Sequence, residues 1–437
     1  MEPKRILLIS YYFAPQNAIG AVRPTKLAKY LERMGHQVTV ICGAGHGEIQ
    51  DPTLARDLEG MKDVHVVEER NWLRWHKQRK ALSATGKSVS GSGAAPARQG
   101  LKHQAADALY RWLRWRADIS FRRRAIRECK GLNQTYDVVF STYAPMSVHW
   151  AACKAKRLGI AKRWIADYRD EVTVPFDWMK GKIPRFYRMV QDNADVCSAV
   201  SDGFLEMMNR QSDGRVLSNG FDREDLPHVE TVRPAGDGFR VVYCGQVSEG
   251  RRNVADRDVT PMFRALNRML EEGVLRREEL HLVYVGREGK LFRAQAESCG
   301  LADRLQDHGL VPRQESIRLQ RTADVLLMST WYMNGQKGIL TGKLFEYMMM
   351  DKPIVCCMCG DLKDSPVGTI LSETGVGFCC EQAGGPEDEE QLAAYLRTLL
   401  ARRQQGLPLL DSRNQQAVEA YAYPSLAMQL SGWMDEL

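Results

Sequence analysis

Long apolar runs are the first thing this sequence lacks: nowhere in its 437 residues do the ~18 uninterrupted apolar positions of a membrane-crossing helix occur. The opening Met-Glu-Pro-Lys-Arg leads straight into a strand-like run, with neither the apolar core nor the small-residue cleavage site of a secretory leader, so the expected compartment is the cytoplasm. Zinc-type cysteine spacing is also missing. The eleven cysteines are scattered through apolar stretches, where reduced thiols act as small hydrophobes. Even the cluster Cys356, Cys357, Cys359, Cys379 and Cys380 falls on strand-like runs, where neighbours alternate faces, and suggests no metal site. Charge of one sign is not in general excess either. The net +7 is local: residues 74–130 hold fifteen Lys and Arg against three Asp and Glu, so the remainder is acidic.

Length then bounds the architecture. At 437 residues, two domains are the natural division, and 44% apolar with 26% charged residues is ordinary for a globular chain. Residues 5–13 are an apolar run of strand length, the sign of a parallel strand buried on both faces. In 21–34, Leu27, Tyr30, Leu31 and Met34 recur at helical spacing, and 37–42 and 63–68 read as the next strands. After the basic segment come strands at 136–142, 163–168 and 195–201, then a linker candidate at 234–238. A second series follows, with strands at 240–244, 281–285, 324–329, 353–357 and 376–380. The expectation is α/β, with two consecutive doubly wound, Rossmann-like domains and ligands at the carboxyl ends of their strands.

Several local patterns occur in a particular order. They are Phe13-Ala-Pro15 with Gly20-Ala-Val-Arg23, Trp164-Ile-Ala-Asp167-Tyr-Arg169-Asp170, Asn219-Gly220-Phe221-Asp222, Tyr243-Cys-Gly245, and Gly342-Lys343-Leu-Phe-Glu346-Tyr347. In that order the chain resembles the GT-B glycosyltransferases, specifically the family-4 type of bacterial surface polysaccharide synthesis, over nearly its whole length apart from 74–130. The resemblance implies an acceptor-binding domain at 1–203 carrying the basic insertion, and a nucleotide-sugar-binding domain at 204–418 facing it across a cleft. It also implies a terminal helix in 419–437 returning to the first domain, and retaining transfer from a UDP- or GDP-type donor to a lipid-linked or polysaccharide acceptor without a metal cofactor.

A departing diphosphate gathers negative charge, which a metal-free site must meet with cations and helix N-termini. Arg251, Arg252 and Lys343 are the donor-side candidates, Arg252 and Lys343 being the catalytic pair, and arginine suits phosphate through its forked geometry. Glu346, a carboxylate one turn into a mostly apolar helix, needs a partner. By the resemblance it holds the ribose diol, while Gly338 stands where the family often has a second glutamate. Gly20 and Gly245 would let backbone approach the diphosphate. Asp167, Arg169 and Asp170 either orient the acceptor hydroxyl, making the two aspartates catalytic candidates, or form a structural ion pair. His149 reads as packing.

Thr85-Gly-Lys87-Ser88 has Ala81 in place of the leading glycine of a P-loop, and Asp256-Arg-Asp258 follows a loop rather than a strand; neither is counted as a site. Residues 105–129 read as a basic amphipathic helix with Trp112, Trp115, Ile119 and Ile126 near one face, suited to an anionic membrane surface and accompanied by no nucleic-acid motif. The expected location is therefore peripheral, on the inner face of the cell membrane. Two other readings stand beside transfer: a nucleotide-sugar-binding scaffold without catalysis, and a GT-B sugar-nucleotide epimerase.

Overall fold

The computed structural model describes residues 2–44, 50–68, 101–210, 213–226, 238–248, 257–334, 337 and 340–437. The side chains of 101–107, 110 and 114 lie outside that description, as do Arg251, Arg252, Gly338, the P-loop-like 85–88 and most of the linker candidate 234–238. Contacts divide the chain into two units. The first comprises Met1–Val200, Met208–Leu217 and Leu426–Leu437, and the second Ser201–Met207 and Ser218–Ser425.

The first unit is built on strands β1 (Arg5–Ser10), β2 (Gln37–Gly43), β3 (Val64–Val67), β4 (Tyr136–Tyr143), β5 (Ala161–Tyr168), β6 (Val196–Ala199) and β7 (Arg215–Val216). Every pairing is parallel, in the order β3-β2-β1-β4-β5-β6-β7. Ile6, Leu7, Leu8 and Ile9 of the central β1 are all fully buried, which is why that strand reads as an unbroken apolar run. Its helices are α1 (Ile19–Arg33), α2 (Pro52–Asp57), α3 (Leu101–Gly131), α4 (Met146–Arg157) and α5 (Lys182–Gln191).

The second unit opens with the short α6 (Asp202–Met207), and its sheet comprises β8 (Phe239–Cys244), β9 (Leu280–Val285), β10 (Leu305–Asp307), β11 (Val325–Trp331), β12 (Ile354–Cys359) and β13 (Gly377–Glu381). These strands are also all parallel, in the order β10-β9-β8-β11-β12-β13. Between them run α7 (Thr260–Glu271), α8 (Gly289–Ser298), α9 (Arg313–Arg321), α10 (Gly342–Met348) and α11 (Pro366–Thr374), followed by α12 (Pro386–Gln404), α13 (Gln415–Glu419) and α14 (Tyr423–Asp435). From Leu426 onward α14 belongs to the first unit, where Ser431 hydrogen-bonds His36 at 2.8 Å and Leu430 is fully buried.

Both sheets are doubly wound, as the alternating pattern implies. In each the strand order reverses beside the first strand, between β1 and β4 and between β8 and β11, and such points are where ligands of these sheets bind. β7 and β10 have no counterpart in the sequence reading because two or three residues at a sheet edge make no apolar run.

The basic helix differs from expectation in its packing. α3 is longer than 105–129, and it docks through Ala117, Phe121, Ala125 and Cys129, a four-residue spacing that places them on one face. Phe121 meets Tyr11 edge-on at 5.3 Å, while Trp112 is 38% exposed. Phe121 fills the interface and the small Ala117, Ala125 and Cys129 complete the buried stripe. No helix among the described residues is long and apolar enough to cross a membrane.

Candidate functional site

In the second unit the candidates gather at the β8–β11 switch point. Gly245 follows β8 directly with φ +135°, a conformation that L side chains rarely adopt. Its amide donates to the carbonyl of Val285 at 2.7 Å, and its own carbonyl accepts from the Tyr284 hydroxyl at 2.8 Å. Lys343, in the first turn of α10, lies across this glycine: a Cβ at 245 would overlap its Nζ. The ammonium sits 5.1 Å from the centre of the Tyr243 ring, and among the described residues no carboxylate pairs with it. Burial first, and then the neighbouring Arg257, lower its pKa to about 8.

Arg257 is a residue that sequence reasoning passed over. It lies in the Asp256-Arg-Asp258 triplet, weighed only for its aspartates. Its guanidinium sits 5.3 Å from the centre of the Trp331 ring at the end of β11 and donates to the Gln246 side chain at 3.2 Å. Two cations thus converge near the ends of β8 and β11. The signal that was available was position, a few residues after the first strand of a doubly wound sheet. Arg251 and Arg252 lie outside the described residues.

Glu346 sits three residues beyond Lys343 on α10 and is half-buried. One carboxylate oxygen accepts from the side-chain amide of Gln320 at 2.8 Å, and the other lies 3.9 Å from Arg313. Gln320 is fully buried, so this hydrogen bond fixes the carboxylate from behind.

The first unit pulls its polar trio apart. Asp167 is not an acceptor-facing group. It is fully buried and takes two hydrogen bonds from Arg23, at 3.0 and 2.8 Å, and a third from Ser198 at 2.9 Å. This is the structural ion-pair alternative, closed further by Arg23 donating to the carbonyl of Leu217 at 2.6 Å. The assignment of Asp167 as catalytic is therefore corrected, because its carboxylate is spent inside the core. Asp170 is 65% exposed and 3.5 Å from Arg169.

Arg169 follows β5 and donates its Nε to the carbonyl of Tyr143 at 2.6 Å, with the guanidinium 5.6 Å from the centre of the Tyr12 ring. A Cβ on Gly20, in the first turn of α1, would overlap that guanidinium. Burial lowers the Arg169 pKa, and Asp170 opposes that shift. His149 is wholly buried and hydrogen-bonds Ser141 at 2.9 Å; burial takes its pKa down to about 3, leaving it neutral. Beside the ends of β1 and β4 opens a cavity of about 330 Å³, walled by Tyr12, Trp115, Tyr143, Met146, Trp150 and Thr173.

Residues 239–402 match the family described as Glycosyl transferases group 1. No curated protein matches the chain in sequence. Among solved structures, the N-terminal domain of trehalose-6-phosphate phosphatase from Candida albicans superposes with a TM-score of 0.62 at 14% identity, covering 99% of this chain and 96% of that one. A glycosyltransferase from Rickettsia africae ESF-5 gives 0.56 at 14%, covering 100% and 99%. Sucrose-phosphate synthase from Thermosynechococcus elongatus gives 0.56 at 13%, covering 99% and 98%. Identities this low speak for the fold alone, and the fold they share with this chain is GT-B. The group 1 match lies within the second unit, and the fold of the chain is GT-B.

Proposed function

We propose that this glycosyltransferase moves a sugar, with retention of anomeric configuration, from a UDP- or GDP-linked donor to a lipid-linked or polysaccharide acceptor of cell-surface glycan synthesis. The second unit binds the donor and the first binds the acceptor. No metal takes part. The enzyme is cytoplasmic and works peripherally on the inner face of the cell membrane.

The observation that carries the donor half is Lys343. It is a partly buried ammonium with no paired carboxylate among the described residues, folded over a glycine at the switch point, beside a second cation. A site that holds two like charges together is incomplete until an anion arrives, and a nucleotide diphosphate supplies that anion. As the sugar–oxygen bond breaks, charge accumulates on the leaving diphosphate, and Lys343 and Arg257 stabilise it. Glu346, steadied by Gln320, accepts hydrogen bonds from the ribose hydroxyls. By the resemblance, the leaving phosphate itself takes the acceptor proton, so no separate strong base is assigned. On the acceptor side, Arg169, Asp170 and the aromatic cavity beside β4 are the groups offered to a sugar hydroxyl and ring.

The test is a thermal-shift screen of nucleotides and nucleotide sugars, with wild type beside Glu346→Ala. A ligand at 100 times its Kd adds about 2.7 kcal/mol of stability. Stabilisation by one nucleoside diphosphate, lost in the variant, supports the donor site. A folded protein that responds to none of them overturns it.

A further inference from the structure

A second cavity, of about 600 Å³, lies between α3 and α4, and its cations serve none of the roles above. It adjoins the aromatic cavity, with Trp150 shared between them, and extends from there along α3 toward the last turn of α4. Four cations line it, Arg122 and Arg123 from α3 and Lys154 and Arg157 from α4. Ile126, Trp150 and Met189 supply apolar wall, and no carboxylate contributes.

The charge is uncompensated locally. Neither α4 nor α5 contains an acidic residue. Of the acidic residues on α3 whose side chains are described, Glu128 is held by His65 at 3.1 Å and Asp118 lines the other cavity. Arg122 lies 5.6 Å from the centre of the Trp150 ring, and Arg157 donates to the neutral side chain of Asn193 at 2.9 Å. Among the described residues, Arg122, Arg123, Lys154 and Arg157 form no ion pair. Four cations around one concave, partly apolar space select an anion that carries an apolar body, because a bare anion gains nothing from Trp150, Ile126 and Met189.

The surroundings point to a membrane rather than a polynucleotide. Further along the same helix the exposed Trp112 carries Arg116 at 4.9 Å from its ring centre, and beyond it Trp178, 73% exposed, carries Lys182 at 5.6 Å. Exposed tryptophans flanked by cations suit headgroup depth at a bilayer.

We propose that the α3–α4 cavity seats an anionic phospholipid headgroup. The phosphate sits among Arg122, Arg123, Lys154 and Arg157, and the apolar part of the lipid lies against Trp150, Ile126 and Met189. This rests on the peripheral-membrane reading above and narrows it from a basic helix to one site.

The experiment is sedimentation of the full-length protein with phosphatidylcholine vesicles, with and without phosphatidylglycerol. Wild type is compared with Arg123→Glu/Lys154→Glu and with a charge-matched control, Arg276→Glu/Arg318→Glu. The expected result is binding only to the anionic vesicles, weakened about tenfold or more by the cavity variant and far less by the control. Arg123 and Lys154 are exposed, so melting temperatures should match; Arg123→Gln/Lys154→Gln replaces the reversal if they do not. Equal binding by wild type and cavity variant, with loss in Trp178→Ala, overturns the site but leaves the membrane reading standing. No binding by wild type overturns both. A shift in melting temperature with glycerol phosphate, without vesicle binding, assigns the cavity to a free phosphate ester and overturns the lipid. Loss of duplex DNA binding in the cavity variant, without loss of vesicle binding, overturns it in favour of nucleic acid.

Discussion

The two units contain the same device assembled in opposite ways. In each, a glycine leaves space for a cation that lies near a tyrosine ring, at the carboxyl side of a parallel sheet. In the second unit the glycine, Gly245, ends the strand and the cation, Lys343, rides on the helix. In the first the glycine, Gly20, is on the helix and the cation, Arg169, follows the strand. The difference lies in what holds and charges each cation. Arg169 is pinned to the carbonyl of Tyr143 at 2.6 Å and carries a guanidinium that does not titrate near neutrality. Lys343 has no ion pair among the described residues, lying by a ring and a like-charged neighbour, and its pKa of about 8 leaves its charge adjustable. A fixed cation suits positioning, and an adjustable one suits an anion that comes and goes.

The largest effect should come from the group that the comparison leaves out. Asp167→Asn keeps the shape but removes the buried carboxylate that balances the Arg23 charge. Unfolding in urea should show a loss of about 3–5 kcal/mol. A loss below 1 kcal/mol would return Asp167 to the list of functional groups.

Gly245→Ala comes next, because its Cβ meets Lys343 and its backbone is strained for any L side chain. A loss of about 1–3 kcal/mol is expected, together with loss of the nucleotide thermal shift. Retained nucleotide binding would break the parallel, showing that Lys343 does not need its place over the glycine.

Gly20→Ala should part the two units. Position 20 is helical, so alanine gains up to about 1 kcal/mol of propensity, offsetting the displacement of Arg169. Stability should stay near wild type and nucleotide binding should be unchanged, while transfer to acceptor falls. Weakened nucleotide binding would instead favour the diphosphate role that the sequence suggests for Gly20 and would remove Arg169 from the acceptor side.

The finest test is pH. The free-state pKa of Lys343 is lowered to about 8 from 10.5, and a bound diphosphate favours the ammonium. Nucleotide affinity should hold level below about pH 8 and fall up to about tenfold per unit above it, until the higher pKa of the complex is reached. The nucleotide-free protein shows the opposite slope. Its unfolded state binds the extra proton between those two values, so stability rises with pH across that window. Calorimetric titration of Lys343→Arg, whose charge is fixed, should flatten the affinity profile. An unchanged profile would mean that another group is titrating.

Much of the architecture was legible in advance because strand runs and helical spacing are local properties. The opening RILLIS announces a strand buried on both faces, and Gly342-Lys-Leu-Phe-Glu places Lys343 and Glu346 within one turn of each other whatever the rest of the chain does. The failures share a cause. Asp167 looks like a site residue because its partner, Arg23, is 144 positions away. Arg257 carries no local mark of its place because its neighbour, Lys343, comes from a distant helix. The docking stripe of α3 differs from the expected one because Trp112 and Trp115 dominate the apolar pattern of the sequence, while the face that the fold covers is that of Ala117, Phe121 and Ala125.

By itself, then, the sequence determined two doubly wound sheets, their order along the chain, and the helix that carries Lys343 and Glu346. Periodicity and turn chemistry act over a few residues and need no tertiary contact. The tertiary structure alone decided which charges are neutralised and which lie beside a charge of their own sign. It buried Asp167 against Arg23, left Lys343 beside Arg257, and gathered Arg122, Arg123, Lys154 and Arg157 around one cavity. A charge finds its counter-charge in space, and proximity in space is a product of the fold.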